Sequence, residues 1–124
     1  MNEPYSHVGI VIREGDRVRV YDVDTGRERA LSSSSFEEFF LQSKELWLLP
    51  LSRVLTDDEK SCVKAEVKKL FKKNPAYDYT FSEGEESLYC LEFLQLVISR
   101  CGLKEKVERL SREYPQIKKL TGDF

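Results

Sequence analysis

Four side chains in this 124-residue chain have the types that acyl-transfer chemistry needs. They are the single histidine, His7, a cysteine, Cys90, and two acids, Asp22 and Asp24. An imidazole has an ordinary pKa near neutrality and serves as a proton carrier. A thiol is a strong nucleophile, and a carboxylate that orients the imidazole completes a nucleophile–base–orienter set. His7 stands at the head of the apolar run HVGIVI, and both acids lie in or just after the next such run, RVRVYDV. Cys90 falls in the first turn of a strongly apolar segment, just after Glu-Gly-Glu-Glu-Ser. The start of a helix offers free backbone N–H groups and positive potential, which favour a thiolate and can hold an oxyanion. Cys62 and Cys101 sit beside or at the end of apolar helical patterns and read as small core residues.

The elements that must position these groups follow from patterning. Residues 7–12 read as a buried strand, Arg13 to Asp16 as a turn, and 17–23 as an alternating strand, so the two form a hairpin. The loop decides which acid meets His7. A two-residue loop at Glu14-Gly15, or a four-residue loop over 13–16, pairs His7 with Asp22. A Gly15-Asp16 loop pairs it with Asp24. Directly opposed side chains share a face about 5 Å apart at Cβ. Two of the three loops therefore favour Asp22, which the alternation also places with Val18 and Val20, toward the core.

Residues 27–31 read as a third short strand, and Ser34 or Ser35 as the cap of a helix FEEFFLQ. LWLLPLSRVL is a strand candidate interrupted by Pro50. Thr56 and Glu59 form a capping box for a helix that runs to Lys73 and stops at Asn74-Pro75. The stretch YDYTFSEGEES reads as a loop. The segment from Leu88 to Gly102 reads as a central helix, apolar on nearly all sides, with Phe93, Leu94 and Val97 in the core. A polar helix closes the chain. The pattern predicts one domain over residues 1–124, of α+β class, with an antiparallel β-sheet packed against helices.

Composition narrows the function classes. The 20 basic and 22 acidic residues are interspersed, for a formal charge of −2. That is not the basic surplus of a nucleic-acid binder. No apolar run reaches the ~20 residues of a spanning helix. The start MNEPYSHVG lacks a basic region and an apolar stretch of signal-peptide length. Three scattered cysteines fit reduced thiols better than a disulfide framework, so a cytoplasmic location is expected. A zinc site of Cys62, Cys90, Cys101 and His7 is disfavoured, because no Cys-x-x-Cys pair is present. No metal or cofactor is expected.

Four short motifs occur in order: Ser6-His7-Val8-Gly9, Tyr21-Asp22, Tyr77-Asp78, and Tyr89-Cys90-Leu91-Glu92-Phe93. Together they resemble the circularly permuted, papain-like cysteine hydrolases of the NlpC type. The likeness is to the bacterial and poxviral branch related to the lecithin:retinol acyltransferase clan. In that branch the histidine strand precedes the cysteine helix, as the order of motifs does here. The resemblance spans residue 5 to about 100. Aspartate replaces the family's glutamate at Asp22, and leucine replaces a serine after Cys90. Only Met1 to Tyr5 precede the histidine strand, so the family's N-terminal segment is shortened.

The resemblance implies a permuted papain-like fold with Cys90 as nucleophile, His7 as base and Asp22 as orienter. Apart from the resemblance, Tyr77 and Tyr89 are candidates for lining a substrate cleft, set against the commoner case of a buried core tyrosine. The implied activity is a thiol-dependent hydrolase, an amidase, peptidase or acyl-ester hydrolase working through an acyl-enzyme. Its substrate would be a small-molecule, peptide or lipid acyl group. The alternative reading is a binding module that keeps the papain-like fold without the chemistry.

Overall fold

The computed structural model describes residues 7–42, 48–77, 87–88 and 90–113. Among them, a three-stranded antiparallel sheet packs with four α-helices, the α+β class expected. Strand β1 (Gly9–Glu14) and strand β2 (Arg17–Val23) are joined by a two-residue turn at Gly15-Asp16. Gly15 has φ of +66°, the left-handed conformation a tight hairpin turn demands and glycine adopts without a Cβ clash. Strand β3 (Leu31–Ser35) lies on the other edge of β2, giving the order β1-β2-β3.

The turn corrects the expected register. Glu14 pairs with Arg17 and Gly9 with Asp22, so the continued ladder sets position 7 opposite position 24. The third strand also differs, beginning at Leu31 and running through the serines. Serine has little strand preference of its own. Here each serine is paired to β2, and the Arg19 Nε–H donates to Ser33 Oγ at 2.9 Å.

Ser35 ends β3 and caps helix α1 (Phe36–Leu41). Its Oγ accepts from the Glu38 N–H at 3.1 Å. The described part of the stretch containing Pro50, residues 48–55, is not a strand. Within it, Leu51–Arg53 form a single 3-10 turn, closed by the Arg53 N–H donating to the Pro50 carbonyl. Helix α2 (Asp57–Lys73) starts at the expected Thr56–Glu59 capping box and ends at Asn74 in a left-handed conformation. The expected loop after it carries two short strands. Strand β4 (Ala76–Tyr77) pairs in parallel with β5 (Ser87–Leu88).

Helix α3 (Cys90–Arg100) is the central one, with Phe93, Val97 and Ile98 buried and Leu94 half-buried. Helix α4 (Lys104–Ser111) follows a turn at Gly102, where φ is +66°. The main core joins one sheet face to α2 and α3. It holds Ile10, Ile12, Tyr21, Val23, Leu31, Val67, Leu70, Phe93 and Val97. A second cluster, of Ile98, Leu103 and Val107, extends it toward α4.

One further expectation is refined and one is overturned. Tyr21 and Val23 belong to the main core, so the alternation puts Val20 and Asp22 on the opposite face of β2. That face is buried as well, because α1 packs across β2 and β3. Cys62 and Cys101 are joined in a disulfide, with Cα atoms 5.8 Å apart, rather than standing as reduced core thiols. Their separation of 39 residues hides the pairing, which arises because α2 and α3 pack together. The cysteine-based argument for a reducing, cytoplasmic compartment loses its basis with this bond. Among the described residues, no helix is long and apolar enough to cross a membrane.

Candidate active site

The site forms where the segment leading into β1 meets the end of β2 and the start of α3. His7 precedes β1 by two residues, and its Nε2 lies 2.6 Å from Asp22 Oδ2. The register would place Asp24 opposite it, yet the contact is the diagonal one to Asp22. Gly9 makes this geometry feasible. It faces Asp22 directly, and a Cβ there would meet Val20 Cγ1 at 3.0 Å, the Tyr21 carbonyl oxygen at 3.2 Å and Asp22 Cβ at 3.3 Å. Without a side chain at position 9, the imidazole reaches along the face to the buried carboxylate.

Asp22 is 3% exposed and well satisfied. A buried carboxylate is tolerated only with such partners. Arg27 Nη1 donates to Oδ1 at 3.2 Å and to Oδ2 at 3.3 Å. Arg27 Nη2 donates to the Asp22 carbonyl oxygen at 3.1 Å and to that of Ala30 at 2.7 Å. The same turn is closed by the Asp24 N–H donating to the Ala30 carbonyl at 3.0 Å. Asp24 itself is exposed, with Oδ1 accepting from the Thr25 N–H.

Cys90, the first residue of α3 and the one free cysteine among the described residues, lies near enough to His7 to act on its titration. The ring also stacks on Phe39 of α1, with centroids 6.0 Å apart and planes at 29°. Burial opposes charge on the imidazole. The hydrogen bond to Asp22, the interaction with Cys90 and the Asp22 charge outweigh it and raise the His7 pKa from the ordinary 6.5 to about 9. His7 therefore carries its proton through neutral pH.

Of the residues singled out from the sequence, Cys90, His7 and Asp22 thus come together. Tyr77 is half-buried against the main core. Tyr89 lies outside the described residues. Ligand-type atoms of His7, Asp22 and Asp24 approach within 4.8 Å of one another. The guanidinium on both Asp22 oxygens opposes a second cation there. Sequence reasoning missed Arg27, Gly9 and Phe39. A glycine inside a strand is a recognisable sign of close approach. Nothing in the pattern marks Arg27 or Phe39.

Two open depressions, of about 250 and 270 Å³, lie elsewhere. One is bounded by Val54, Lys106 and Leu110, the other by Gln95, Ile98 and Lys104. Neither borders the Cys90–His7 pair. Comparison with family models, curated proteins and solved structures finds no match to this chain.

Proposed function

We propose that the chain is a thiol-dependent acyl hydrolase of permuted papain-like type, with Cys90, His7 and Asp22 as its catalytic set. One observation carries the reading. A thiol at a helix start, the chain's single imidazole and a buried carboxylate come together, with the imidazole hydrogen-bonded to the carboxylate and acted on by the thiol. Nucleophilic hydrolases need that order of roles.

In the proposed cycle Cys90 Sγ, with the one proton of the Cys90–His7 pair on His7, attacks the carbonyl carbon of an amide, ester or thioester. A C–S bond forms, and the carbonyl electrons move to oxygen. The Cys90 N–H, one of the α3 groups without an intrahelical acceptor, donates to that oxyanion. The C–N, C–O or C–S bond to the leaving group then breaks, and His7 gives that group its proton. His7, now neutral, takes a proton from water as the water attacks the acyl-enzyme thioester. The acid product leaves and Cys90 is restored. Asp22 holds the ring in place and stabilises its charged form. The substrate class, a small-molecule, peptide or lipid acyl group, is the one the motif resemblance implies.

The test is turnover on p-nitrophenyl esters, acyl-thioesters and short peptide amides. The proteins compared are the unaltered chain, Cys90→Ala, Asp22→Asn and Asp24→Asn. Turnover above Cys90→Ala is expected. Asp22→Asn should lower it by orders of magnitude, as loss of a triad acid does, and Asp24→Asn should leave it nearly unchanged. No rate above Cys90→Ala on any substrate would reject the hydrolase in favour of a binding module. Damage from Asp24→Asn with a silent Asp22→Asn would overturn the assignment of the acid.

A further inference from the structure

The most heavily bonded group around His7 is one that the reaction steps above do not use. Arg27 makes four hydrogen bonds into a single turn, two to the Asp22 carboxylate and two to the carbonyls of Asp22 and Ala30. Its Nη1 and His7 Nε2 contact the same oxygen, Asp22 Oδ2, at 3.3 and 2.6 Å. The two cationic heads therefore lie within about 6 Å of each other, on one nearly buried anion.

We infer that Arg27 is a positioning residue of the Cys90–His7–Asp22 set: it shares the charge of Asp22, so that the carboxylate anchors the imidazole without monopolising its proton.

The physical reason is a competition for one anion. A buried carboxylate with an imidazolium as its only partner would hold that imidazolium very tightly, because both charges lack water. A general acid held so tightly gives up its proton poorly. A guanidinium on the same carboxylate satisfies part of its charge and also repels the imidazolium directly. The two bonds to backbone carbonyls keep the guanidinium in place, where a swinging side chain would not. The other titratable groups that face His7 among the described residues are Asp22, Asp24 at the turn after β2 and Cys90 from α3. From α1 the contact is the uncharged Phe39 ring. Arg27 is thus the counter-cation at this cluster.

The inference rests on the proposed function only for what Arg27 does to turnover; its effect on His7 does not. With a single histidine in the chain, imidazole resonances titrated by NMR read His7 without assignment ambiguity. Arg27→Gln removes the charge and keeps a group that can donate to Asp22 or Ala30. It should raise the His7 midpoint by on the order of one unit. The pH profile of Cys90 alkylation should move in parallel. Arg27→Lys, which keeps a cation, should leave the midpoint within a few tenths of the parent value. Arg27→Met, uncharged and of similar length, carries the same expectation as Arg27→Gln should the latter not fold. An unchanged or lowered midpoint in the neutral variants would overturn the inference. So would a rise in Arg27→Lys as large as that in Arg27→Gln. Expected titrations without turnover on any substrate would retain the role of Arg27 at His7 and defeat the hydrolase reading. Turnover with an unmoved midpoint would do the reverse.

Discussion

His7 couples the site to the stability of the molecule. Its folded-state pKa, about 9, exceeds the ordinary 6.5, so the folded chain binds this proton more tightly than the unfolded chain does. The linkage has one sign. The stabilisation is fully present below about pH 6.5 and is lost as pH rises through 9. A shift of this size corresponds to on the order of 3 kcal/mol. Denaturant midpoints measured from pH 6 to 10 should therefore fall across that window, and His7→Gln should flatten the fall. A midpoint that rises with pH in the same window would contradict the His7–Asp22–Cys90 geometry. The two acids near this histidine also separate at the residue scale. Asp22 is buried and shared by His7 and Arg27, whereas Asp24 is exposed and engaged with its own turn.

At the scale of elements, the site depends on where α3 begins and how firmly it is seated. Phe93 lies one turn after Cys90 and is 1% exposed, in the core cluster formed with β1, β2 and α2. Leu94, expected from the pattern to be equally buried, is half-buried and bridges the two clusters. Phe93→Ala should destabilise the fold by about 3–5 kcal/mol through lost burial and the cavity left behind. Guanidinium melts would show this as a lowered midpoint, and an unchanged midpoint would remove α3 from its central place. The hairpin makes the complementary point. Its two-residue turn sets a register that does not oppose His7 to Asp22, and the absence of a side chain at Gly9 restores the contact on the diagonal.

Across the whole molecule, the Cys62–Cys101 disulfide ties α2 to the end of α3 and closes a loop of 39 residues. In the chain-entropy account, a loop of that length is worth about 4 kcal/mol, by restricting the unfolded chain. The double variant Cys62→Ser/Cys101→Ser should lower stability by up to about this amount. Reductant should have the same effect on the parent and none on the variant. The bond also alters how the thiols are read by labelling. Iodoacetamide without reductant should modify Cys90 alone, and Cys62 and Cys101 should label only after reduction. Labelling of Cys62 or Cys101 in the unreduced, folded protein would show the bond absent.

Local chemistry was legible in the sequence because it is encoded locally. The Thr56–Glu59 cap, the serine cap of α1 expected at Ser34 or Ser35, the stop at Asn74, and the apolar patterns of β1, β2 and α3 each lie within a few residues of what they control. The α+β class followed from such elements, whereas the grouping of His7 with Cys90 came from the motif resemblance and the choice of Asp22 rested on a hairpin register that the Gly15-Asp16 turn overturns. Wherever the answer depended on a distant part of the chain, only the tertiary structure decided it. Ser32–Ser34 form a strand because β2 offers them partners. Cys62 meets Cys101 because two helices pack 39 residues apart in sequence. Asp22 is buried on the second face of the sheet because α1 covers that face. Arg27 reaches the carboxylate because the turn after β2 folds back on it. Short-range patterns state which faces are apolar and where helices start. They carry no information about which surfaces meet, since that is settled by packing and by the partners that buried charges must find.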